Sequence, residues 1–397
     1  MKRRNFLKSA ILVGSAPLLA PVPSQESISR SRVAVIGHTG RGNYGHGLDT
    51  MWLHMPECEI VAVADPDVQG LKSAEQRLGG TKGYLDYQEM LRVVRPDVVS
   101  IAPRHIDQHL EMVVAAVESG VKGVYLEKPF CRNLKEADKI IQSIDAKGVK
   151  LALAHRNRYH PSLEVARAMV EAGELGPLLE VRARGKEDHR GGVQDLWVLG
   201  SHLLNLIPLF TGHYANCSAS LWTGSRKVEQ RDLSQGDEGV GLVGGDRLHA
   251  RFMTEKDVVV YFDSIRGVGT AEGNFGFQVL GTKGVLDIRV DIEPLVHFLP
   301  GNPFYPNSSR EEWLPVTSAG VGVPEPIPTI VSDIAGHLSP ARDLIDAIRS
   351  GRQPLCDALE GRVTIEAIMA IFESHRLGGA TVDFPLVTSH NPLDALL

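Results

Sequence analysis

The sequence predicts an α/β protein in two parts: a doubly wound parallel sheet, then a second α/β unit built on a mostly antiparallel sheet. Two observations carry the first part. Short apolar runs alternate with helix-length segments up to about residue 155, which is the rhythm of βαβ units. A glycine-rich turn directly follows the first of these runs. The second part rests on a change of period. Beyond residue 156 apolar and polar residues alternate, and pairs of such runs meet across tight connections. A chain of 397 residues is also too long for one ordinary core.

The elements follow in order. RVAVIG, residues 32–37, reads as a strand buried on both faces, and the turn HTGRGNYGHG follows it. A helix is expected near 45–54, then a strand EIVAVAD that ends at Asp65. PDVVSIA at 96–102, GVYLE at 123–127 and VKLALAH at 149–155 are further strands, with helices over 106–119 and 133–147. In the second part LEVRARGK, residues 179–186, alternates. LHARFMTE and DVVVYFDS flank a connection at Glu255-Lys256-Asp257, and GFQVLG and GVLDIRV flank Thr282-Lys283, so both pairs predict hairpins. A helix is expected over 198–211. Residues 299–336, with seven prolines between Pro300 and Pro328, read as a long irregular segment serving as a lid, an oligomer contact or an insertion. Two helices, 339–350 and 357–377, close the chain. The resulting division is 1–30 as leader and linker, 31–155 as a nucleotide-binding domain, and 156–397 as a substrate and oligomerisation domain with the closing helices.

Composition removes several functions. A net charge of −6 without a basic stripe argues against nucleic acid and anionic membranes as partners. Cys58, Cys131, Cys217 and Cys356 are widely spaced and form no C-x-x-C pair, so neither a disulfide framework nor a thiolate zinc site is expected. The first residues, Arg3-Arg4-Asn5-Phe6-Leu7-Lys8 before SAILVGSAPLLA, have the order of a twin-arginine export signal. The apolar stretch is too short to span a bilayer. A periplasmic or extracellular location is the expectation, reached by a route that carries folded protein with its cofactor inside.

The chemistry concentrates at the carboxyl ends of the parallel strands, where open α/β sheets bind ligands. Gly37, Gly40 and Gly42 let main-chain N–H groups approach a pyrophosphate. Thr39 stands where the G-x-G-x-x-G fingerprint has its middle glycine, and Arg41 lies within the turn. Asp65 closes the next strand, where a carboxylate accepts from ribose hydroxyls and repels a 2′-phosphate, favouring NAD over NADP. Glu127-Lys128-Pro129 ends a third strand. A desolvated lysine beside a nicotinamide would have its pKa lowered and could exchange a proton with a substrate hydroxyl. Arg158 and Tyr159 follow a strand end and suit contacts to cofactor or sugar hydroxyls. His105 and His109 are four apart, but no H-E-x-x-H or carboxylate set accompanies them, so no metal site is expected.

The segments VAVIGHTGRG, VADPD, GVYLEKPF, AHRNRYHPS, GSHLLNL, GFQVLGTKGVLDIR and DLIDAIRSGRQPLCDALEGRVTIEAIMAIFES together resemble the Gfo/Idh/MocA oxidoreductases from about residue 32 to 385. The resemblance implies a Rossmann domain, then an α/β domain whose large open sheet makes homodimers or homotetramers. It implies NAD held by Gly37, Thr39, Gly40, Arg41, Gly42, Asp65, Pro103, His109, Glu127 and Lys128, with Pro129 often cis. It implies proton transfer by Lys128 and His202, the latter matching the histidine of a D-x-x-x-H pair. The chain departs from that pair: the aspartate position is Val198. Asp195, seven residues before His202, and the Asp188-His189 turn are the candidate replacements, with His189 and Asp195 also expected at the substrate. The expected activity is hydride transfer at a hydroxyl carbon of a sugar. With no soluble NAD pool outside the cytoplasm, a redox-neutral cycle that cleaves a glycoside is the alternative. A non-catalytic NAD and sugar sensor is the reading that Val198 would favour.

Overall fold

The computed structural model describes residues 30–269, 275–305 and 312–397, so the expected export signal lies outside the described residues. Six parallel strands form the first sheet: β1 Ser31–Ile36, β2 Cys58–Ala64, β3 Gly83–Tyr84, β4 Val98–Ile101, β5 Gly123–Leu126 and β6 Lys150–Leu153. Their order is β3-β2-β1-β4-β5-β6. The order reverses between β1 and β4, and that is where a crevice opens at the carboxyl ends of a doubly wound sheet. Register aligns the rim: Ile36 pairs with Ile101, Ile101 with Leu126, and Leu126 with Leu153. Gly37, Ala102, Glu127 and Ala154 therefore leave the sheet side by side.

Helices α1 Val68–Arg77, α2 Tyr87–Val94, α3 His109–Glu118 and α4 Leu134–Lys147 join the strands. Short polar side chains start them. Asp67 accepts from the Gly70 N–H, Asp86 from Gln88 and Asn133 from Glu136, satisfying first-turn donors that lack helical partners. Gly148, with φ 67°, stops α4 in the left-handed region.

The helix expected over 45–54 does not form. Only a 3₁₀ turn, Thr50–His54, is present. Gly40, Gly42, Gly45 and Gly47 and also Asn43 all have positive φ, a conformation an α-helix cannot contain.

The second sheet has eleven strands. After α5 Pro161–Glu171 comes β7 Leu178–Arg184. A helical run follows, made of α6 Val193–Asp195, a π-helical turn Leu196–Gly200, α7 Ser201–Leu206 and α8 Pro208–Thr211. The helix expected over 198–211 is thus interrupted. Strands β8 Tyr214–Thr223, β9 Arg226–Lys227, β10 Ser234–Gln235, β11 Leu242–Val243, β12 Arg247–Thr254 and β13 Val259–Ile265 come next. β14 Gly276–Gly281, β15 Gly284–Arg289, β16 Val296–Pro300, β17 Leu314–Thr317, β18 Gly320–Val321 and β19 Val382–Asp383 complete the set. The path is β18-β17-β16-β15-β14-β7-β13-β12-β8-β19 with β9 on β8, while β10 and β11 pair separately. Both predicted hairpins are present, β12 with β13 and β14 with β15. Among the described residues of this sheet only β7 with β13 is parallel.

Residues 299–336 hold more order than expected among the described ones: β17 and β18 extend the sheet, and α9 Ile330–Ala335 follows. The closing helices are α10 Leu338–Ser350 and α11 Ala358–Arg376. α10 packs beside β5 and β6, while α11 lies against both α4 and β8, so these helices tie one sheet to the other. Among the described residues no helix is long and apolar enough to cross a membrane.

Candidate active site

Glu127 and Lys128 leave β5 at the rim, and the Lys128-Pro129 peptide is cis, as expected. Lys128 is 4% exposed, and its Nζ donates to the Val198 carbonyl at 2.8 Å. Val198 thus supplies its main chain where the family pattern has a carboxylate. The π-helical turn over 196–200 departs from the i→i−4 ladder at this point, a distortion frequent at functional sites. Burial lowers the Lys128 pKa below its ordinary value, with Arg104 adding to the effect and Glu127, Glu238 and Asp291 opposing it.

His202 lies beside it. Its Nδ1 is 3.4 Å from His155 Nδ1, and the two rings meet edge to face. Burial and then the Lys128 charge hold His155 down to about 3 and His202 well below the ordinary imidazole range. Both rings are neutral near pH 7, so each offers one donor and one acceptor. His202 Nε2 has no hydrogen-bond partner among the described residues. His155 is not singled out in the sequence. Its signal is position, two residues beyond the end of β6, the strand beside β5.

Glu127 is fully buried and faces the glycine turn rather than solvent. It accepts from His46 at 2.7 Å and from the Lys128 N–H at 3.0 Å. Burial alone would raise its pKa, but the His46 hydrogen bond and the Lys128 charge overcome it, leaving about 2. Gly45 needs to be glycine here: a Cβ would stand 2.7 Å from the Ala102 carbonyl and 3.1 Å from Glu127. The Glu127–His46 contact therefore clamps the turn onto the rim.

A cleft of about 230 Å³ opens beyond the carboxyl ends of β1 and β2, lined by Gly37, His38, Asp65, Pro66, Tyr87 and Gln108 among others. It lies where an α/β sheet of this order takes the adenosine half of a dinucleotide. Gly40, with φ 84° and no atom within 4 Å of a built Cβ, leaves open space beside the turn, whose Thr39, Gly40 and Arg41 N–H groups are bonded to Asp65, Asn43 and His38. The residues present fit NAD, with two corrections to their expected roles. Asp65 is buried, and its oxygens are engaged by the Thr39 N–H, the Thr39 hydroxyl at 2.7 Å and the Asp67 N–H. Thr39 thus covers the carboxylate that was expected to meet the ribose, and Asp65 holds the turn while its charge still borders the cleft. Among the described residues no α-helix follows the turn, so no helix N-terminus faces the pyrophosphate position from it.

Other expected residues hold the fold. Both ring nitrogens of His109 face carbonyl oxygens, Pro103 at 2.8 Å and Phe130 at 3.1 Å. His109 therefore pins the β4 turn to the loop after Pro129 instead of touching cofactor, and the Pro103 carbonyl is spent on it. Arg41 reaches Asp107 at 2.5 Å. Gly42 packs on the main chain of Arg104, where a Cβ would stand 2.4 Å from its nitrogen. Arg158 donates to the Asn205 carbonyl at 2.6 Å and pairs with Glu360 at 3.0 Å, and the Tyr159 hydroxyl accepts from the Cys356 N–H at 3.1 Å. Both bind the closing helices to the core, not a substrate. Asp195 is fully buried and accepts from Ser264 at 2.6 Å and from the Lys186 and Glu187 N–H groups, so it neither orients His202 nor meets substrate. The His189 side chain is 85% exposed, with a loose contact to Asp188 at 3.8 Å, so nothing aims it at the site. Arg104, Glu238 and Asp291, whose charges act on Lys128, and Arg156, whose charge acts on His202, are not singled out in the sequence.

Residues 31–155 match the family model described as an oxidoreductase family with an NAD-binding Rossmann fold. The chain is 23% identical over 259 residues to a levoglucosan dehydrogenase of Pseudarthrobacter phenanthrenivorans, covering 58% of this chain and 64% of that protein. It is 29% identical over 125 residues to a D-apiose dehydrogenase of Paraburkholderia graminis, covering 32% and 33%. These matches span less than two thirds of either relative. A levoglucosan dehydrogenase structure in complex with NADH and L-sorbose superposes over 90% of this chain and 100% of its own, with a TM-score of 0.70 at 18% identity, a likeness of fold. Residues 31–155 are thus similar to the NAD-binding Rossmann domain of the Gfo/Idh/MocA oxidoreductases.

Proposed function

We propose that the protein is an NAD-dependent oxidoreductase acting on a hydroxyl carbon of a sugar or sugar derivative. The observation that carries the reading is a buried lysine with a lowered pKa, beside two neutral histidines, at the carboxyl rim of a dinucleotide-binding sheet. NAD, when bound, supplies the hydride acceptor. Lys128 Nζ, as the free amine, takes the proton of the reacting hydroxyl while the carbon loses hydride. In the reverse direction the ammonium returns it. The Val198 carbonyl keeps the nitrogen in place in both states, and His202 Nε2 is the second group available to a substrate oxygen. Neutral histidines add no charge to compete with the lysine's. Relatives named for levoglucosan and D-apiose support sugars as the substrate class.

Export by the twin-arginine route, read from residues 3–20, goes with this as a proposal. Outside the cytoplasm the cofactor would have to stay bound and be reset in place, either between two sugars or within one redox-neutral cycle of oxidation, elimination, hydration and reduction. Incubating protein as purified with an aryl glycoside and with free sugars, without added NAD, separates the two: cleavage supports the cycle, a keto sugar supports transfer between sugars.

The Lys128→Ala variant tests the core of the reading. Turnover should fall by about three orders of magnitude, in the upper part of the general acid–base range, with NADH binding by fluorescence unchanged. Turnover at the level of the unaltered protein would remove Lys128 from the mechanism.

A further inference from the structure

A turn from the second domain reaches over the rim. The short β10–β11 ladder carries at its tip a 3₁₀ turn, Asp237–Gly239, which packs against the β4 turn of the first domain. Contact is close: a Cβ on Gly239 would stand 2.6 Å from Asp107 Oδ1. The turn is anchored from the helical run that carries His202, because Gln194 Oε1 accepts from the Asp237 N–H at 3.0 Å.

Glu238 is the residue at the tip, and its backbone sits at φ 60° and ψ 22°, the left-handed region that glycine or asparagine usually fills. Its side chain is 17% exposed, and Oε1 stands 3.7 Å from Arg104 Nε, too far for a hydrogen bond. Glu238 Oε2 and Arg104 Nε are both buried without a hydrogen-bond partner among the described residues. The two side chains make an ion pair at 3.7 Å, but a strained backbone that holds a buried acceptor next to a buried donor with no hydrogen bond at either is a local cost that the fold alone does not explain. The Glu238 and Arg104 charges both act on Lys128, so the pair lies within electrostatic range of the reacting centre.

We propose that Glu238 and Arg104 form a clamp for one hydroxyl of the substrate, adjacent to the hydroxyl that faces Lys128, and that the clamp selects neutral polyhydroxy compounds over carboxylated ones. This rests on the sugar-oxidoreductase reading above. A hydroxyl is the group that fits: it donates to Glu238 Oε2 and accepts from Arg104 Nε, bridging a gap that the two side chains do not close themselves. A carboxylate only accepts, and it would meet the charge of Glu238 head on. No sequence pattern announces the clamp, since the turn comes from a different domain and carries no motif.

Steady-state kinetics and NADH binding test the clamp in the full-length protein, loaded with NAD, on levoglucosan, L-sorbose, D-glucose and D-glucuronate. Glu238→Gln should raise KM for the neutral sugar turned over best by about tenfold, leave kcat within a few-fold, and improve D-glucuronate relative to D-glucose. Glu238→Gly suits the left-handed backbone, so it should show the same rise in KM without a lower Tm, and NADH binding should be unchanged in both variants. Unaltered protein that turns over a neutral sugar, with KM the same in both variants, overturns the clamp and leaves the sugar reading standing. NAD-loaded protein that turns over none of the neutral sugars overturns both.

Discussion

Lys128 and Asp195 are both buried and ionisable, but the structure gives them opposite work. The lysine's hydrogen bond goes to a neutral carbonyl, and burial lowers its pKa against the pull of nearby carboxylates, which suits it to proton exchange. The aspartate is saturated by Ser264 and two main-chain N–H groups. Asp195→Ala should therefore destabilise the protein by about 3 kcal/mol, since it strips several donors of a buried acceptor. KM for sugar should not change in the fraction that stays folded. Urea unfolding and kinetics on the same preparation check this, and a large rise in KM with stability intact would return Asp195 to the substrate. Lys128 was legible because E-K-P is a compact motif at a predictable strand end. Arg158, Tyr159 and Asp195 were misplaced for a common reason: a polar residue near a strand end reads alike in one dimension whether it turns to the cleft or to a buried carbonyl.

Among the elements, strands and closing helices follow their hydrophobic periods closely, whereas the two local departures lie at the site. The glycine turn resists α-helix because successive residues need positive φ, and its anchor is the Glu127–His46 contact. The run before His202 contains a π-helical turn that no period announces, since an extra residue in a buried helix leaves the pattern apolar on all sides. Removing one residue there, by deletion of Leu199, should restore α-helical register and swing the preceding carbonyls by about 100° relative to His202. The Val198–Lys128 contact would be lost. The expected outcome is sugar turnover reduced at least a hundredfold with NADH binding retained. Normal turnover in the deletion variant would mean that the distortion has no part in holding the lysine.

At the scale of the whole molecule, α10 and α11 bind the two sheets into one body, and several titrating groups lie buried along that seam. His155 is held at about 3 and His337 at about 4, against an ordinary 6.5, mainly by burial. Glu127 is held at about 2, against 4.5, where the His46 bond and the Lys128 charge outweigh burial. In each case the unfolded chain takes up its proton at a higher pH than the folded one, so all three act in the same direction and stability falls with pH. The histidines act from about 6.5 down to their folded values, and Glu127 adds its part from about 4.5 toward 2. Each can contribute up to about 1.4 kcal/mol per pH unit within its window. Tm measured from pH 7.5 to pH 4.5 should therefore drop steadily below about pH 6.5, and a flat profile would mean that these groups are not buried neutral or paired as described. The two-part architecture could be read from the change of period near residue 156. The covering of one domain's rim by a turn of the other could not, because it depends on long-range packing that no local pattern records.

In the proposed reaction the Lys128 amine itself carries the proton. The most direct measurement is chemical rescue: hydride transfer to bound NAD, followed at 340 nm with a neutral sugar, in Lys128→Ala supplied with small primary amines of graded basicity. Activity should return with rising free-amine concentration, saturate, and gain rate with amine basicity, while unaltered protein should not respond. A variant that turns over as fast as unaltered protein without any amine, or one that no amine rescues although NADH and sugar still bind, would contradict it.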